Sequence, residues 1–415
     1  MKNKNYIILV IGQIISLFGS SIQRFSLSLY LLDVTGSARI FSGILALSML
    51  PYIVCAPIAG VLADRISRKH IMVVLDFLSS ALLCVYAVIL FSGRDHYNIV
   101  AGVMLLLSVF YTLYAPAVTA SIPQIVPESS LLQANGIVQQ VASLSNFLGP
   151  ILAGICYSLW GIKAVIIINA LSFFLSAILE LFLDIPHTPL APKAEKVSVP
   201  RMIYEEMKAG YCYLKEDNPI VFRMIITSGL YNLFLVPIFS IGSPYIIKVI
   251  LNMPAQTYGM AEGVIALGMI LGGLIISLRP RLVGIERIYY ILFPACLSLV
   301  VMSLSVMLPL DQEVFRWASL GLFTFGGMSI MLALGMANVI SMTYIQQASP
   351  SHMLGKISAF ATAFATCCIP LGQAIFGQLL EAFGSHLWTV ILAAALLSFG
   401  ATLLVRWNVR QIKPA

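Results

Sequence analysis

Long apolar runs, each about the length of a membrane-crossing helix, alternate along the chain with short clusters of charged residues, Gly and Pro. Crossing about 30 Å of hydrocarbon takes roughly 20 helical residues. Division on that length gives twelve spans, at 6–31, 40–63, 70–92, 97–120, 134–159, 162–184, 219–247, 257–278, 288–308, 314–343, 355–381 and 385–406. The runs lack the two-residue alternation of barrel strands, and an unpaired amide in lipid is costly, so each run must satisfy its backbone internally as a helix. The polar stretch 186–218 opens with Pro186, Pro189 and Pro192 and continues as RMIYEEMKAGYCYLKED, an amphipathic segment expected to lie along the membrane surface. The expected fold is an all-α membrane protein of twelve transmembrane helices. A six-helix bundle occupies 1–185, a cytoplasmic linker 186–218, and a second six-helix bundle 219–415.

The halves repeat. A shift of 223 residues carries Gln124 onto Gln347, Pro127 onto Pro350, Leu131 onto Leu354, Gly149 onto Gly372, Gly154 onto Gly377 and Gly161 onto Gly384 without a gap. Spans four and five thus reappear as spans ten and eleven. A shift of six helices keeps the topology of each half, so the bundles are expected to be pseudo-symmetric about an axis along the membrane normal, with a substrate site between them near mid-membrane.

Composition agrees with this reading. Apolar residues make up 60%, charged residues only 10%, and mean hydropathy is +0.95, too little polarity to coat a soluble body of 415 residues. Most of the 24 Lys and Arg fall on the side of the two termini. Only Arg39, Arg94, Lys163, Lys248 and Arg316 fall on the other side, and Arg24 lies within a span. The positive-inside rule then puts both termini in the cytoplasm, and the net charge of +7 follows from sidedness rather than from a nucleic-acid partner. The first run is too long and too polar in its middle for a signal-peptide core, so cleavage is not expected.

Between spans two and three the chain reads Gly60-Val61-Leu62-Ala63-Asp64-Arg65-Ile66-Ser67-Arg68-Lys69. This resembles the signature loop of the major facilitator superfamily, Gly-x-Leu-Ala-Asp-Arg-x-Gly-Arg-Lys, with Ser67 in place of the second glycine. The resemblance implies a cytoplasmic charge latch of Asp64, Arg65 and Arg68 after Gly60, which Asp76 is expected to join. In the second half Leu278 and Arg281 echo Leu62 and Arg65, but Pro280 replaces the acid. Span five, GIVQQVASLSNFLGPILAG, resembles the helix-five signature of the superfamily's drug and metabolite antiporters: Gly136, Gly149, Pro150 and Gly154 match, and Ser145 and Ala153 stand for glycines. Ser145, Gly149 and Ala153 form one flat stripe at four-residue spacing, which admits a close neighbour. Pro150 removes a backbone hydrogen bond and kinks the helix. Span eight, with Gly259, Gly263, Gly268, Gly272 and Gly273, offers a matching smooth face. FGSSIQRFSLSLYLLDVTGSA and YAPAVTASIPQIVPESSLLQANG are similar to the branch of the superfamily that includes macrolide exporters and the enterobactin exporter. Many proton antiporters carry an Arg in the fourth helix; the run from Tyr97 to Ala120 has no basic residue, so coupling through that arginine is excluded.

A charge near the bilayer centre costs about 2.5 kcal/mol or more and persists where it is paired or functional. Arg24 in span one and Glu262 in span eight meet that description, and both sit at similar depth below the outer surface, where they can pair. Gln23, Asn146, Tyr231 and Asn232 are the uncharged polar residues expected to touch substrate. Gln13, Gln139, Asn169, Asn338 and Gln373 are expected to bond helix to helix. The seven cysteines and five histidines lack metal or redox spacing, and there is no phosphate-binding glycine loop, so no enzyme class is supported. The chain is read as a secondary exporter of an amphipathic drug or metabolite, macrolide- or siderophore-like, in the cell membrane. It is expected to act as a monomer without a cofactor, driven by an ion gradient, with protons the expected ion. An importer of a small solute and a lysophospholipid flippase of the same fold are the alternatives.

Overall fold

The computed structural model describes residues 4–127, 130–185, 199–279 and 283–411; the side chains of 60, 64, 65 and a few others within these ranges are outside the description. Among the described residues the chain is helical and eleven helices are long and apolar enough to cross a membrane. They are α1 (Lys4–Thr35), α2 (Ala38–Arg65), α3 (Arg68–Phe91), α4 (Tyr97–Ile125), α5 (Leu131–Leu181), α7 (Pro219–Phe234), α8 (Ala255–Leu278), α9 (Tyr289–Ser305), α10 (Glu313–Ala348), α11 (Ser351–Phe383) and α12 (Leu387–Val409), with the shorter α6 (Val199–Glu216) between α5 and α7. α5 contains spans five and six: its backbone leaves helical geometry at Gly161, with φ 68°. Only glycine takes that turn without a Cβ clash. The eleven long helices of the described residues thus hold twelve spans.

The seventh crossing continues beyond α7 through two π-helical turns, Ile238–Gly242 and Tyr245–Ile250, preceded by Pro237 and Pro244. Each proline lacks the amide that would extend the regular ladder, and the wider turn accommodates the loss.

The chain forms two compact units. The first comprises Met1–Thr35, Leu47–Val199 and Pro254–Gly259; the second comprises Gly36–Ala46, Pro200–Met253 and Met260–Ala415. The start of α2 thus lies in the second unit and the start of α8 in the first. In the first unit Leu9, Ile71, Met72, Leu75, Tyr114, Ala117, Ile122 and Leu183 form a core built from α1, α3, α4 and the end of the α5 region. The second unit has one core of Ile276, Leu292, Met336, Ile340 and Val405, and another in which Leu214 of α6 packs with Val221, Ile225, Ile345 and Ile357. Tyr211 of α6 also lies edge-on to Phe222. The amphipathic segment therefore lays its apolar face on α7, α10 and α11. Outward faces are also apolar: Val88 is 70% exposed and Phe325 69%. Such surface suits lipid and not water.

Candidate functional site

Glycines set the closest helix approaches, and they do so in pairs related by the 223-residue shift. A Cβ built on Gly149 of α5 would lie 2.7 Å from Ser21 Cβ of α1, and one on Gly154 would lie 2.6 Å from the Ala255 carbonyl oxygen and 3.1 Å from Gly259 Cα of α8. In the second unit a Cβ on Gly372 of α11 would lie 3.0 Å from the Leu233 carbonyl carbon of α7, and one on Gly377 would lie 2.9 Å from the Ala38 carbonyl oxygen of α2. The same two positions on each repeat thus leave no room for a side chain. Gly161 and Gly384, also 223 apart, both take positive φ, 68° and 38°.

The repeat extends to a pair of helix N-termini. Ser158 Oγ accepts the Gln256 amide at 3.1 Å near the start of α8. Position 158 corresponds to 381, and Glu381 Oε2 accepts the Arg39 amide at 3.1 Å near the start of α2, together with the Ser37 hydroxyl at 2.6 Å. Each of these helix starts has otherwise unpaired amides, and an oxygen from the glycine-bearing helix satisfies one of them. Phe25 of α1 stacks on Tyr258 of α8, with centroids 4.6 Å apart.

Within the helix-five motif, Ala153 is fully buried and the buried Ser145 turns its hydroxyl back to the Val141 carbonyl at 2.8 Å. Gly136 faces open space. The smooth face expected on span eight divides in two. Gly259 meets α5, whereas a Cβ on Gly268 would lie 3.0 Å from the Leu332 amide nitrogen of α10, and one on Gly272 would lie 3.0 Å from the Leu332 carbonyl carbon. Nine residues are about two and a half turns of helix, so Gly259 and Gly268 point in opposite directions.

The substrate candidates fall into three groups. Arg24 and Asn146 are exposed, and the Arg24 guanidinium makes no hydrogen bond with the described residues. Gln23 is 2% exposed, and neither side-chain polar atom has a partner among the described residues. Tyr231 and Asn232 are engaged within the second unit: Tyr231 OH bonds Thr402 Oγ1 at 2.6 Å, and Asn232 Nδ2 donates to the Ala365 carbonyl at 3.1 Å. Glu262 Oε2, also in the second unit, accepts the Ser243 hydroxyl at 3.2 Å. Gln373 Nε2 donates to Ser240 Oγ at 3.1 Å, an interhelical bond of the kind expected of it. Gln139 and Asn338 are exposed.

Of the cytoplasmic latch, Gly60, Asp64 and Arg65 lie outside the described side chains, as do Pro280 and Arg281 of the second-half echo. Arg68 donates from Nε to the Ala63 carbonyl at 3.2 Å and from Nη1 to the Ala120 carbonyl at 2.5 Å, placing a cation at the C-terminal end of α2, where the helix dipole favours one. Asp76, expected to join these residues, lies two helical turns beyond Arg68 along α3, 2% exposed and beside the hydroxyl of Ser176, which is one turn of α5 from Glu180. Tyr114 OH donates to Glu180 Oε1 at 2.6 Å and accepts from Gln13 Nε2 at 2.6 Å. Sequence reasoning missed Glu180, although an acid inside span six was the available signal.

Paired six-span repeats with lipid-facing apolar walls, close glycine crossings and polar groups held within the spans define a multi-pass membrane transporter, not an enzyme. The chain belongs to the Major Facilitator Superfamily, whose family model matches residues 9–372. It is 26% identical over 383 residues to macrolide efflux protein A of Streptococcus pyogenes, covering 92% of this chain and 90% of that protein. A macrolide efflux protein A of Enterococcus faecalis is 28% identical over 340 residues, 81% of this chain and 99% of that one. Among solved structures, a bacterial homologue of the iron transporter ferroportin in its inward-facing state aligns with a TM-score of 0.76 at 16% identity, covering 99% of this chain and all of that one; at that identity the likeness is one of fold.

Proposed function

We propose that this chain is a secondary exporter of amphipathic small molecules, macrolide- or siderophore-like, that works by alternating access and is driven by a proton gradient across the cell membrane. The observation that carries the reading is the crossing of Gly154, the last glycine of the antiporter-type helix-five motif, on Gly259 of α8, an approach of two helix backbones that the small residues of the motif permit. Similarity to macrolide efflux proteins along nine-tenths of the chain supports the same direction of transport. Both termini are assigned to the cytoplasm by the positive-inside rule, and the protein is taken to work as a monomer. Exposed Arg24 and unpartnered Gln23 on α1 are the first candidates for substrate contact. A buried amide group with no partner is costly, and a ligand's polar atoms remove that cost. Glu262, Asn146, Tyr231 and Asn232 complete the candidate set.

The test is transport by purified protein in proteoliposomes, using cationic, neutral and anionic amphiphiles with and without an imposed pH gradient. Gradient-driven movement of macrolides against their concentration supports the proposal. Movement of lysophospholipid alone, or solute uptake in the opposite sense, replaces it with a flippase or an importer.

A further inference from the structure

Inside the first unit a polar cluster lies at the junction of α1, α3, α4 and α5, built from none of the residues assigned to substrate. Two acids occupy it, Asp76 on α3 at 2% exposure and Glu180 on α5 at 1%. Tyr114 donates to one Glu180 oxygen, and Gln13 donates to Tyr114. Ser176 stands beside Asp76 and reaches the Gly12 carbonyl at 3.4 Å. The second oxygen of each acid, Asp76 Oδ2 and Glu180 Oε2, is buried without a hydrogen-bond partner among the described residues. Among the described residues the titratable group bonded to the pair is Tyr114, α1 contributes Gln13 and the Gly12 carbonyl, and no Lys, Arg or His hydrogen-bonds either acid.

Two neighbouring carboxylates removed from water with no cation opposite them are heavily penalised, because neither desolvation nor mutual repulsion is offset. Such an intramembrane pair persists when something positive occupies it. Each orphan oxygen offers a place for a proton, and one proton on either oxygen reduces two negative charges to one. The donors around the pair run in a line, Gln13 to Tyr114 and Tyr114 to Glu180, with the Ser176 hydroxyl beside Asp76, and the orphan oxygens lie at its acid end. We propose that Asp76 and Glu180 form a proton-exchange site, holding one shared proton while buried and releasing it to water when the helices around it part. The step is an O–H transfer alone: a proton from water on one side joins a carboxylate oxygen and later returns to water on the other. Because the pair is closed to water in this conformation, exchange requires a conformational change, and that requirement links proton movement to alternation. That the proton drives export rests on the function proposed above; that it is bound and released does not.

The pair can therefore be tested without substrate. Infrared difference spectra of the lipid-reconstituted full chain, stepped from acid to alkaline pH, are expected to show loss of a protonated-carboxyl C=O band that is reduced in both Asp76→Asn and Glu180→Gln. Absence of the band in the wild-type protein, its persistence unchanged in both variants, or its loss on adding Na⁺ at constant pH overturns the assignment. In proteoliposomes both variants, as neutral mimics of the protonated pair, are expected to retain exchange of labelled for unlabelled macrolide while losing accumulation driven by a pH gradient. Accumulation at the wild-type level in either variant also overturns it. A wild-type protein that shows the band but exchanges no amphiphile leaves the proton site standing and defeats the exporter reading.

Discussion

Replacing Gly154 with alanine places one methyl group against backbone that cannot rotate away. The new Cβ would lie 2.6 Å from the Ala255 carbonyl oxygen, about 0.8 Å inside the 3.4 Å at which ordinary contact begins, and 3.1 Å from Gly259 Cα. Relief requires α5 and α8 to separate, and overpacking of this kind costs about 1–3 kcal/mol. Gly136→Ala, in the same motif, adds its methyl to open space. Both variants gain the same helix propensity, about 0.5–1 kcal/mol, so their difference isolates the crossing. If the crossing belongs to one of two alternating states, the cost moves the equilibrium away from that state by about 5–150-fold. Spin labels at Leu159 on α5 and Gln256 at the start of α8, both exposed, report the change as a distance distribution in lipid nanodiscs. Gly154→Ala is expected to shift that distribution toward longer distances and Gly136→Ala to leave it in place. Identical distributions and identical thermal stability for the two variants would refute the role given to the crossing.

The corresponding helix-end contact on the second repeat predicts that Glu381→Ala, which removes the acceptor for Arg39 N–H and Ser37, weakens the α2–α11 contact by about 1 kcal/mol. Glu381→Gln keeps an acceptor oxygen and should restore most of it, as read by spin labels at exposed Gly43 on α2 and Leu379 on α11. Tyr114→Phe strands Gln13 Nε2 and Glu180 Oε1 and is expected to lower unfolding free energy by about 1–3 kcal/mol, as read by denaturant unfolding in micelles; unchanged stability would deny the two 2.6 Å bonds. Arg24 is exposed, so Arg24→Ala should alter stability by no more than about 0.5 kcal/mol while reducing transport in proteoliposomes. Wild-type transport kinetics would remove Arg24 from the site.

The turns at Gly161 and Gly384 were legible because a conformation with positive φ restricts residue choice at a single position, and both copies kept glycine there. The close approaches of Gly154 and Gly377 were legible for a related reason: lipid supplies no hydrophobic drive between helices, so backbone contact requires small residues that show in the sequence. Spacing was less informative about direction. The glycines of α8 read as one face, yet the nine residues from Gly259 to Gly268 carry them to opposite sides, one on α5 and the other on α10. The Asp76–Glu180 pair was hidden for a further reason. About one hundred residues separate the two acids, and their meeting depends on how α3 and the second arm of α5 rotate against each other, which a single sequence does not encode locally. Glu381 illustrates both cases: as an acid at a span end it reads as solvated, but its registration with Ser158 under the 223-residue shift marks it as the repeat's second helix-end acceptor.

The most direct test of alternating access is two-sided labelling at Gln23, which is buried without a partner among the described residues. Gln23→Cys, made in a background with all seven native cysteines replaced, is modified with an impermeant thiol reagent applied from one side of a sealed vesicle or the other. The account predicts that a given molecule is reachable from one side at a time, and that macrolide and a pH gradient change the balance between sides. Simultaneous access from both sides, or a balance that neither substrate nor gradient alters, would contradict it.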